Sequence, residues 1–132
     1  MKIHITNKLL ILIVSILFLI GCHKTKESFT MNKAHIVEVV VYQTKPGVND
    51  AEHIKKALAI SPVLAQFPGF VSRQFTKTTD GKWIDIVYWT DLSLAKKAAQ
   101  DAQAIPICQV FFADMDMKTM QFMYSEILSR YP

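Results

Sequence analysis

Two carboxylates in the middle of apolar runs are the residues of this chain best suited to acid–base chemistry. Glu38 lies within Ile36–Gln43 (IVEVVVYQ), and Asp85 lies within Trp83–Thr90 (WIDIVYWT). Burial of an unpaired carboxylate is costly, so each acid must be paired, protonated, solvated by a pocket or placed at an edge. A carboxyl group in an apolar cleft has a raised pKa and suits a general base that removes a phenolic proton. The alternative, which we favour, is a structural acid that is hydrogen-bonded or paired with Arg73.

Aromatic side chains and one histidine are the candidate substrate-binding residues. Trp89, like Trp83, could stack on a flat aromatic molecule, and the Tyr42 hydroxyl could orient that molecule. His53 would lie at the edge of such a pocket or face the solvent. Aromatic residues in a small core more often serve packing, and a helix-surface histidine is more often solvated. We therefore favour the structural interpretation of each residue and retain Tyr42, His53 and Trp89 as binding candidates.

The other reactive groups form no pattern that indicates a metal, cofactor or nucleophilic site. The histidines show no paired ligand spacing, and the chain has no glycine-rich phosphate loop or nucleophile elbow. Four late methionines suggest a soft-metal site, but at strand spacing they do not share one face, so we expect them to fill the core. Cys108 is expected to be an inert buried thiol. These histidines and methionines are His4, His23, His35 and His53, and Met115, Met117, Met120 and Met123. We expect no cofactor and no metal.

The N-terminal segment has the layout of a bacterial export signal. Lys2 and Lys8 precede the apolar run Leu9–Ile20, which one serine interrupts and which Gly21 and Cys22 follow. A helix of this length would rise only about 18 Å, less than the roughly 30 Å hydrocarbon core, so a spanning helix is disfavoured. The end of the run resembles the lipobox of bacterial lipoproteins, whose cysteine is acylated. We predict a signal peptide at 1–21 and lipidation of Cys22, while ordinary secretion and an uncleaved anchor stay open.

A lipidated Cys22 would attach the protein to a membrane, because several acyl chains bury many CH₂ groups. Residues 22–34 are polar and predict a tether ahead of a single domain at 35–132. Since His23 rather than an aspartate follows the cysteine, we expect the bacterial cell envelope and, in a Gram-negative host, the outer membrane. Without the segment 1–21, thirteen basic residues stand against eleven acidic ones. This near balance argues against nucleic-acid binding.

The domain shows the signals of strands and helices joined by short turns. Ile36–Gln43 is rich in β-branched residues and predicts a strand. Asn49 with Glu52 predicts the start of a helix, which Pro62 should kink or split. The later elements are a strand pair over Phe70–Thr78 and Trp83–Thr90, a helix over Leu92–Gln103 capped by Asp91, a short helix from Pro106 to Phe112, and a strand from about Asp116 to Ile127. This order predicts the α+β, ferredoxin-like βαββαβ fold, an antiparallel sheet with helices on one face.

Alternation along the first and third strands indicates that both faces of this sheet are covered. One side of each strand is wholly apolar, and the other side mixes large apolar groups with acids. Helices would cover one face and a second copy of the chain the other, which predicts a homodimer. The wholly apolar sides consist of Val37, Val39 and Val41, and of Ile84, Ile86 and Tyr88.

The domain resembles the antibiotic-biosynthesis-monooxygenase-like family of dimeric α/β barrels. The likeness extends over about 36–127 and is carried by 68–73 (PGFVSR), by 80–89 (DGKWIDIVYW) with the capped helix that follows, and by the late strand within 112–124. It implies a pocket between sheet and helices that Glu38, Val40 and Tyr42 would face. It also implies that the side of the first strand with Val37, Val39 and Val41 forms the dimer seam.

The same resemblance leaves two hypotheses for the activity. The haem-degrading branch of the family uses an asparagine, a tryptophan and a histidine at places occupied here by Val40, Ala98 and Cys108, so haem degradation is disfavoured. The first hypothesis is an envelope module that binds a small hydrophobic or aromatic molecule, or a protein partner. The alternative is a cofactor-independent monooxygenase of an electron-rich phenol or quinol, with Glu38 or Asp85 as the base.

Overall fold

The structure is a computed structural model that describes residues 31–131 of the chain. Within this range the elements are β1 (Ile36–Tyr42), α1 (Asp50–Leu64), β2 (Phe70–Lys77), β3 (Trp83–Trp89), α2 (Leu92–Ala102), α3 (Pro106–Phe112) and β4 (Gln121–Glu126). The strands form one antiparallel sheet in the order β2-β3-β1-β4. The predicted ferredoxin-like α+β fold is confirmed, and α3 is the predicted short helix between α2 and the last strand.

Side-chain caps begin the two longer helices where the sequence predicts them. The Asn49 carboxamide oxygen accepts hydrogen bonds from the backbone N–H groups of Ala51 and Glu52, at 2.9 and 3.2 Å. The Asp91 carboxylate accepts one from the backbone N–H of Ser93 at 2.7 Å. These bonds satisfy N–H groups that have no partner within the helix, so local sequence determines where each helix begins.

The hairpin between β2 and β3 turns at the predicted Asp-Gly pair. Gly81 has a φ of +91°, a conformation that residues with a Cβ rarely adopt. The Thr78 N–H donates to the Lys82 carbonyl at 2.8 Å and closes the turn. The hairpin sets the register that brings β2 alongside β3.

Two predicted element boundaries are wrong, namely a split of the first helix at Pro62 and a start of the last strand near Asp116. The helix α1 continues through Pro62 to Leu64. This proline lies in the last turn of α1, where the missing N–H removes one hydrogen bond and little helix remains to be broken. The last strand begins at Gln121 instead of Asp116, because Asp116 starts a turn in which its carbonyl accepts from the Thr119 N–H at 3.0 Å.

The two faces of the sheet differ as the alternation predicts. Glu38, Val40 and Tyr42 on β1 are buried on the face that the helices cover, which confirms the predicted orientation of this strand. The opposite face has a partly exposed apolar centre between polar margins. Its centre consists of Val37, Val39, Val41, Ile84, Ile86 and Tyr88, and its margins include Ser72, Gln74 and Thr76 on β2 and Gln121 and Ser125 on β4.

The predicted signal peptide at 1–21 and the predicted lipidation site Cys22 lie outside the described residues, as does the tether up to residue 30. The last residues of that tether contact the domain: the Ser72 hydroxyl lies 3.0 Å from the Met31 sulfur, and Ala34 is fully buried. Among residues 31–131, no helix has the length and apolar character needed to cross a membrane.

Candidate functional site

A cavity of about 760 Å³ lies between one half of the sheet and the helices α2 and α3. Three of the α2 residues that border it are alanines, Ala98, Ala99 and Ala102, and the longer side chains of Lys96 and Gln100 also border it. Alanines cannot fill the space above the strands, so the cavity follows directly from the sequence of α2. Its other walls include Glu38, Val40, Asp85, Val87 and Trp89 from β1 and β3, Phe122 and Tyr124 from β4, and Phe112, Met115, Met117 and Met120 from α3 and the segment after it.

Glu38 lies in the wall of this cavity and is only 8% exposed. Its Oε2 atom has no hydrogen-bond partner among the described residues. Burial, and then the charge of Asp85, raise the pKa of Glu38 from 4.5 to about 7. The Trp89 indole and Arg73 act in the opposite direction without reversing the shift. Glu38 is therefore a carboxyl group that exchanges a proton near neutral pH inside an apolar cavity.

Trp89 is the second polar group of the wall that is left without a partner. It is 1% exposed, and its indole Nε1 makes no hydrogen bond of normal geometry, although the indole lies close enough to lower the pKa of Glu38. Its ring packs edge-on against Phe70, with centroids 5.8 Å apart. The indole of Trp89 and the carboxyl group of Glu38 are therefore neighbouring buried polar groups that interact with each other in the cavity wall.

Asp85 also borders the cavity, but Arg73 holds both of its oxygens. Arg73 Nε donates to Asp85 Oδ1 at 2.8 Å, and Nη2 donates to Oδ2 at 2.7 Å. Arg73 Nη1 also donates to the Ser61 hydroxyl at 2.8 Å. Both side chains of the pair are buried, so the predicted pairing of Asp85 with Arg73 is present in the structure. Of the two predicted catalytic acids, only Glu38 has a free oxygen.

Tyr42 and His53 do not line this cavity. The sequence predicted that Tyr42 faces the cavity and that His53 lies at its edge or faces the solvent, and both predictions are wrong. His53 is fully buried and packs in parallel on Phe111, with centroids 5.0 Å apart. Its Nδ1 lies 3.0 Å from the Asp114 carboxylate and its Nε2 lies 2.8 Å from the Tyr42 hydroxyl. Because a carboxylate only accepts, Nδ1 carries the proton and Nε2 accepts from Tyr42. The sequence pattern did not predict this burial, because the groups that bind both ring nitrogens of His53 come from other elements of the fold.

Asp114, one of the two hydrogen-bond partners of His53, is in turn bound by a neighbouring lysine. The Lys56 ammonium donates to both Asp114 oxygens, at 2.7 and 2.9 Å. Burial alone would raise the pKa of Asp114, but hydrogen bonds from Lys56 and His53 outweigh burial and lower it. Burial raises the pKa of the Tyr42 hydroxyl well above its usual range. Tyr42, His53, Asp114 and Lys56 therefore form a network in which the buried polar groups satisfy one another.

The segment from α3 to β4 supplies cavity residues that sequence reasoning did not single out. Tyr124 stands opposite Glu38 in the register of β1 and β4, and burial together with the charge of Glu38 raises its pKa to about 12. Met115, Met117 and Met120 line the cavity, whereas Met123 pairs with Val39 on the other face of the sheet, so the four methionines do not share one face. The expectation that all four fill the core is wrong, because Met117 is 60% and Met123 is 41% exposed. Strand alternation counted from Glu38 across to β4 could have identified Tyr124.

The structure also shows the state of the Cys108 thiol and whether residues 31–131 contain a group of side chains that could bind a metal ion. Cys108 is fully buried, as predicted, and burial raises the pKa of its thiol. Within this part of the chain no group of three His, Cys, Asp or Glu side chains is placed to hold a metal ion. The described site therefore offers hydrogen bonds and a titratable carboxyl group in an apolar space.

No protein-family model matches the sequence, and no curated protein matches it. Solved structures share the fold. A variant of SnoaB, a cofactor-independent oxygenase from Streptomyces nogalater, is 18% identical to this chain and has a TM-score of 0.62. The match covers 75% of this chain and 98% of the SnoaB chain. A monooxygenase from Streptomyces coelicolor, in complex with nanaomycin D, is 14% identical to this chain and has a TM-score of 0.53. The match covers 76% of this chain and 94% of the monooxygenase. These likenesses confirm, for the fold alone, the predicted resemblance to antibiotic-biosynthesis-monooxygenase-like proteins.

Proposed function

We propose that the domain binds a small hydrophobic or aromatic molecule in the cavity between α2 and the sheet. The observation that carries this proposal is the cavity itself, whose mostly apolar wall contains the buried carboxyl group of Glu38 with its raised pKa. Ligand sites commonly combine apolar walls with a few placed polar groups in cavities of roughly 300–1,000 Å³. The cavity volume of about 760 Å³ is ample for a molecule of two or three fused rings.

The test uses the indole N–H signals of the two tryptophans in a ¹⁵N NMR spectrum. Every described element lies within 31–131, so the chain from residue 22 with Cys22→Ser contains the whole domain without lipid. Titration with 1-naphthol should shift the Trp89 signal, because Trp89 lines the cavity, and should leave the Trp83 signal in place. Trp83→Phe assigns the two signals. Equal movement of both signals, or of neither, would contradict binding at this cavity.

The second candidate is cofactor-independent oxygenation, and the titration of Glu38 near pH 7 within the cavity favours it. The Glu38 carboxylate would accept the proton of a phenolic hydroxyl, and the phenolate would pass one electron to dioxygen. Recombination of the two radicals forms a C–O bond, Glu38 returns its proton to the peroxide, and loss of water leaves a quinone. One phenol and one dioxygen thus give one quinone and one water. Asp85 does not serve as this base, because Arg73 occupies both its oxygens.

Oxygen uptake distinguishes the two candidates. An enzyme should consume one dioxygen for each 1-naphthol oxidised, and Glu38→Gln should abolish this uptake while the Trp89 signal still responds to the ligand. A binding module should show the shift in the Trp89 signal without any oxygen uptake above the rate without protein.

The homodimer is part of the same proposal. The outer face of the sheet presents an apolar centre between polar margins, and a second copy of this face would cover it. Val39→Lys places a charge in the middle of this centre, so it should convert a dimer into a monomer. Light scattering on the unlipidated chain should give twice the monomer mass for the parent and the monomer mass for the variant. A monomeric parent would contradict this part of the proposal.

We also propose that the domain is held at the bacterial cell envelope through acylated Cys22, at the outer membrane in a Gram-negative host. The basic start, apolar run, Gly21 and Cys22 of the sequence support this. Mass spectrometry of the membrane fraction should find the peptide that begins at Cys22 carrying acyl chains. Cys22→Ser should release the domain or block its processing, and an unmodified Met1 at the N-terminus would contradict the anchor.

A further inference from the structure

We propose that the thioether groups of Met115, Met117 and Met120 form a binding site for a soft monovalent metal ion, Cu(I). All three side chains border the cavity, and none of them lies within a strand of the four-stranded sheet. Thioether sulfur is a soft ligand, and soft ligands select soft ions such as Cu(I). The inference concerns a different ligand from the organic molecule proposed above and does not depend on it.

A turn, and not a strand, brings these three methionines to one cavity. The Asp116 carbonyl accepts a hydrogen bond from the Thr119 N–H at 3.0 Å, which closes the turn between them. Met117 lies within this turn, and Met115 and Met120 flank it. The Cα atoms at the two ends of such a turn lie within about 7 Å of each other. The strand spacing that argued against a soft-metal site therefore does not apply to these three residues.

Hydrogen bonds to the residues that follow β1 hold the turn in place. The Asp116 N–H donates to the Gln43 carbonyl at 2.9 Å, and the Gln43 N–H donates to the Thr119 hydroxyl at 2.9 Å. Just before the turn, the Lys45 N–H donates to the Asp114 carbonyl at 2.8 Å. The backbone that carries the three thioethers is thus fixed before an ion binds, so binding has to order only the methionine side chains.

Packing accounts for Met115 and Met120 but not for Met117. Met115 is 4% exposed within the core, and Met120 packs against that core from a partly buried position. Met117 is 60% exposed, so it buries little apolar surface and contributes little to stability through packing. Because exposure rises from Met115 to Met117, an ion from the solvent can reach the thioethers.

The charges of this segment do not favour a hard cation. Between residues 115 and 120, Asp116 is the only acid and Lys118 the only base, so the segment has no net charge. One oxygen of the Asp116 carboxylate also accepts a hydrogen bond from the Lys118 N–H at 3.1 Å. Mg²⁺ and Ca²⁺ require several oxygen ligands, and Zn²⁺ prefers thiolate, imidazole or carboxylate groups. Three neutral sulfur atoms therefore select an ion by its softness and not by its charge.

The test follows the methionine methyl signals in a ¹³C–¹H NMR spectrum during titration with Ag(I), a redox-inert ion that is as soft as Cu(I). The protein is the unlipidated chain with Cys22→Ser, in a nitrate buffer without chloride. The titration is repeated with Cys108→Ala, so that the second chain has no thiol that could bind the ion. An unchanged ¹⁵N spectrum shows that this variant keeps its fold.

We expect the signals of Met115, Met117 and Met120 to move together and to stop moving at one ion per chain. The signals of Met31 and Met123 should stay in place, because neither residue borders the cavity. Single Met→Leu variants assign the signals and keep nearly the same volume and apolar character. Cu(I), supplied as its acetonitrile complex without oxygen, should give the same pattern, and Mg²⁺ should give none.

Two of these variants form a matched pair for calorimetry. Met117→Leu removes an exposed thioether, so the fold should be kept while Ag(I) binds at least about tenfold more weakly, since loss of a group that only orients a metal ligand commonly costs that much. Met123→Leu removes a thioether from the other face of the sheet and should leave the affinity unchanged.

Three results would overturn the site. The first is movement of the Met31 and Met123 signals together with the others, which indicates non-specific binding to thioethers. The second is unchanged affinity in both Met117→Leu and Met115→Leu. The third is loss of binding in folded Cys108→Ala, which assigns the ion to the thiol. Failure of 1-naphthol to shift the Trp89 signal while Ag(I) still binds would overturn the proposed function alone and support the metal site.

Discussion

The space between the sheet and the helices is filled in one half and hollow in the other. Beneath α1, aromatic rings pack in close contact, and Phe75 and Trp83 stack with centroids 5.2 Å apart. Beneath α2, alanines face the strands and leave a cavity of about 760 Å³. The filled half is formed by Tyr42, His53, Phe75, Trp83 and Phe111, and the hollow half by Ala98, Ala99, Ala102, Val87 and Trp89.

The two halves also differ in whether their buried polar groups are hydrogen-bonded. In the filled half, Tyr42, His53 and Asp114 satisfy one another through hydrogen bonds of 2.8 and 3.0 Å. In the hollow half, Glu38 Oε2 and Trp89 Nε1 have no partner. A satisfied buried network contributes to stability, whereas an unsatisfied one lowers it and persists where function requires it. From this comparison we expect substitutions in the filled half to affect stability most, and substitutions in the hollow half to affect the proposed ligand binding most.

The largest expected effect is a loss of stability in the filled half. Phe111→Ala removes a fully buried ring that contacts His53 and Tyr42, so it should lower the free energy of unfolding by about 3–5 kcal/mol. Phe122→Ala at the exposed lip of the cavity should cost less than about 1 kcal/mol. Urea unfolding measures both, and equal losses would contradict the division into two halves.

The second effect is a loss of stability at alkaline pH that originates in the hollow half. The pKa of Glu38 is raised from 4.5 to about 7, so the folded chain keeps a proton that the unfolded chain has lost between these values. Stability from this group is present below pH 4.5 and is lost as the pH rises through 7. Between pH 5 and 8.5 the loss should amount to roughly 2–3 kcal/mol.

Glu38→Gln should remove this part of the pH dependence and make the variant more stable than the parent at pH 8.5. Thermal melts across the pH range measure the difference. The matched control is Glu126→Gln on the exposed end of β4, which should keep the slope of the parent. A Glu38→Gln profile parallel to that of the parent would contradict the raised pKa of Glu38.

Two tyrosine variants compare how much a buried hydroxyl group contributes to stability in each half. Tyr42→Phe leaves His53 Nε2 buried without a donor and should cost about 1–3 kcal/mol. Tyr124→Phe in the cavity wall removes a hydroxyl for which the structure shows no hydrogen bond, and it should change stability by less than about 0.5 kcal/mol. Chemical unfolding at pH 7 compares the two, and similar costs would show that the cavity hydroxyl is also engaged.

Filling the hollow half should also change stability only slightly. Ala98→Phe directs a ring toward the cavity, so it should change the free energy of unfolding by less than about 1 kcal/mol and weaken 1-naphthol binding at least severalfold. Ala57→Phe, at an equally buried position of α1, has no such space and should destabilise the domain by more than about 2 kcal/mol. Equal losses at both positions would indicate that the cavity is not empty in solution.

The sequence alone determined the order of the elements, the starts of the helices and the orientation of the strands. Asn49 and Asp91 cap helices through bonds to residues two and three positions away, and Gly81 permits the hairpin turn, so these features depend on local contacts. Alternation with a period of two placed Glu38 and Val40 on the same side of their strand, since neighbouring residues of a strand point to opposite sides. The family resemblance, rather than the alternation, indicated that this side faces the helices. The signals of Pro62 and Asp116 were also local, but both lie at element ends, where boundaries are least certain.

Only the tertiary structure decided which buried groups are satisfied and where the core is hollow. His53 is buried because Tyr42, 11 positions away, and Asp114, 61 positions away, meet its two ring nitrogens. Arg73 engages Asp85 rather than Glu38, although the sequence does not separate the two acids. Burial, pairing and cavity volume depend on side chains that are far apart in the chain, and the periodicity of a single element contains no information about what packs against it.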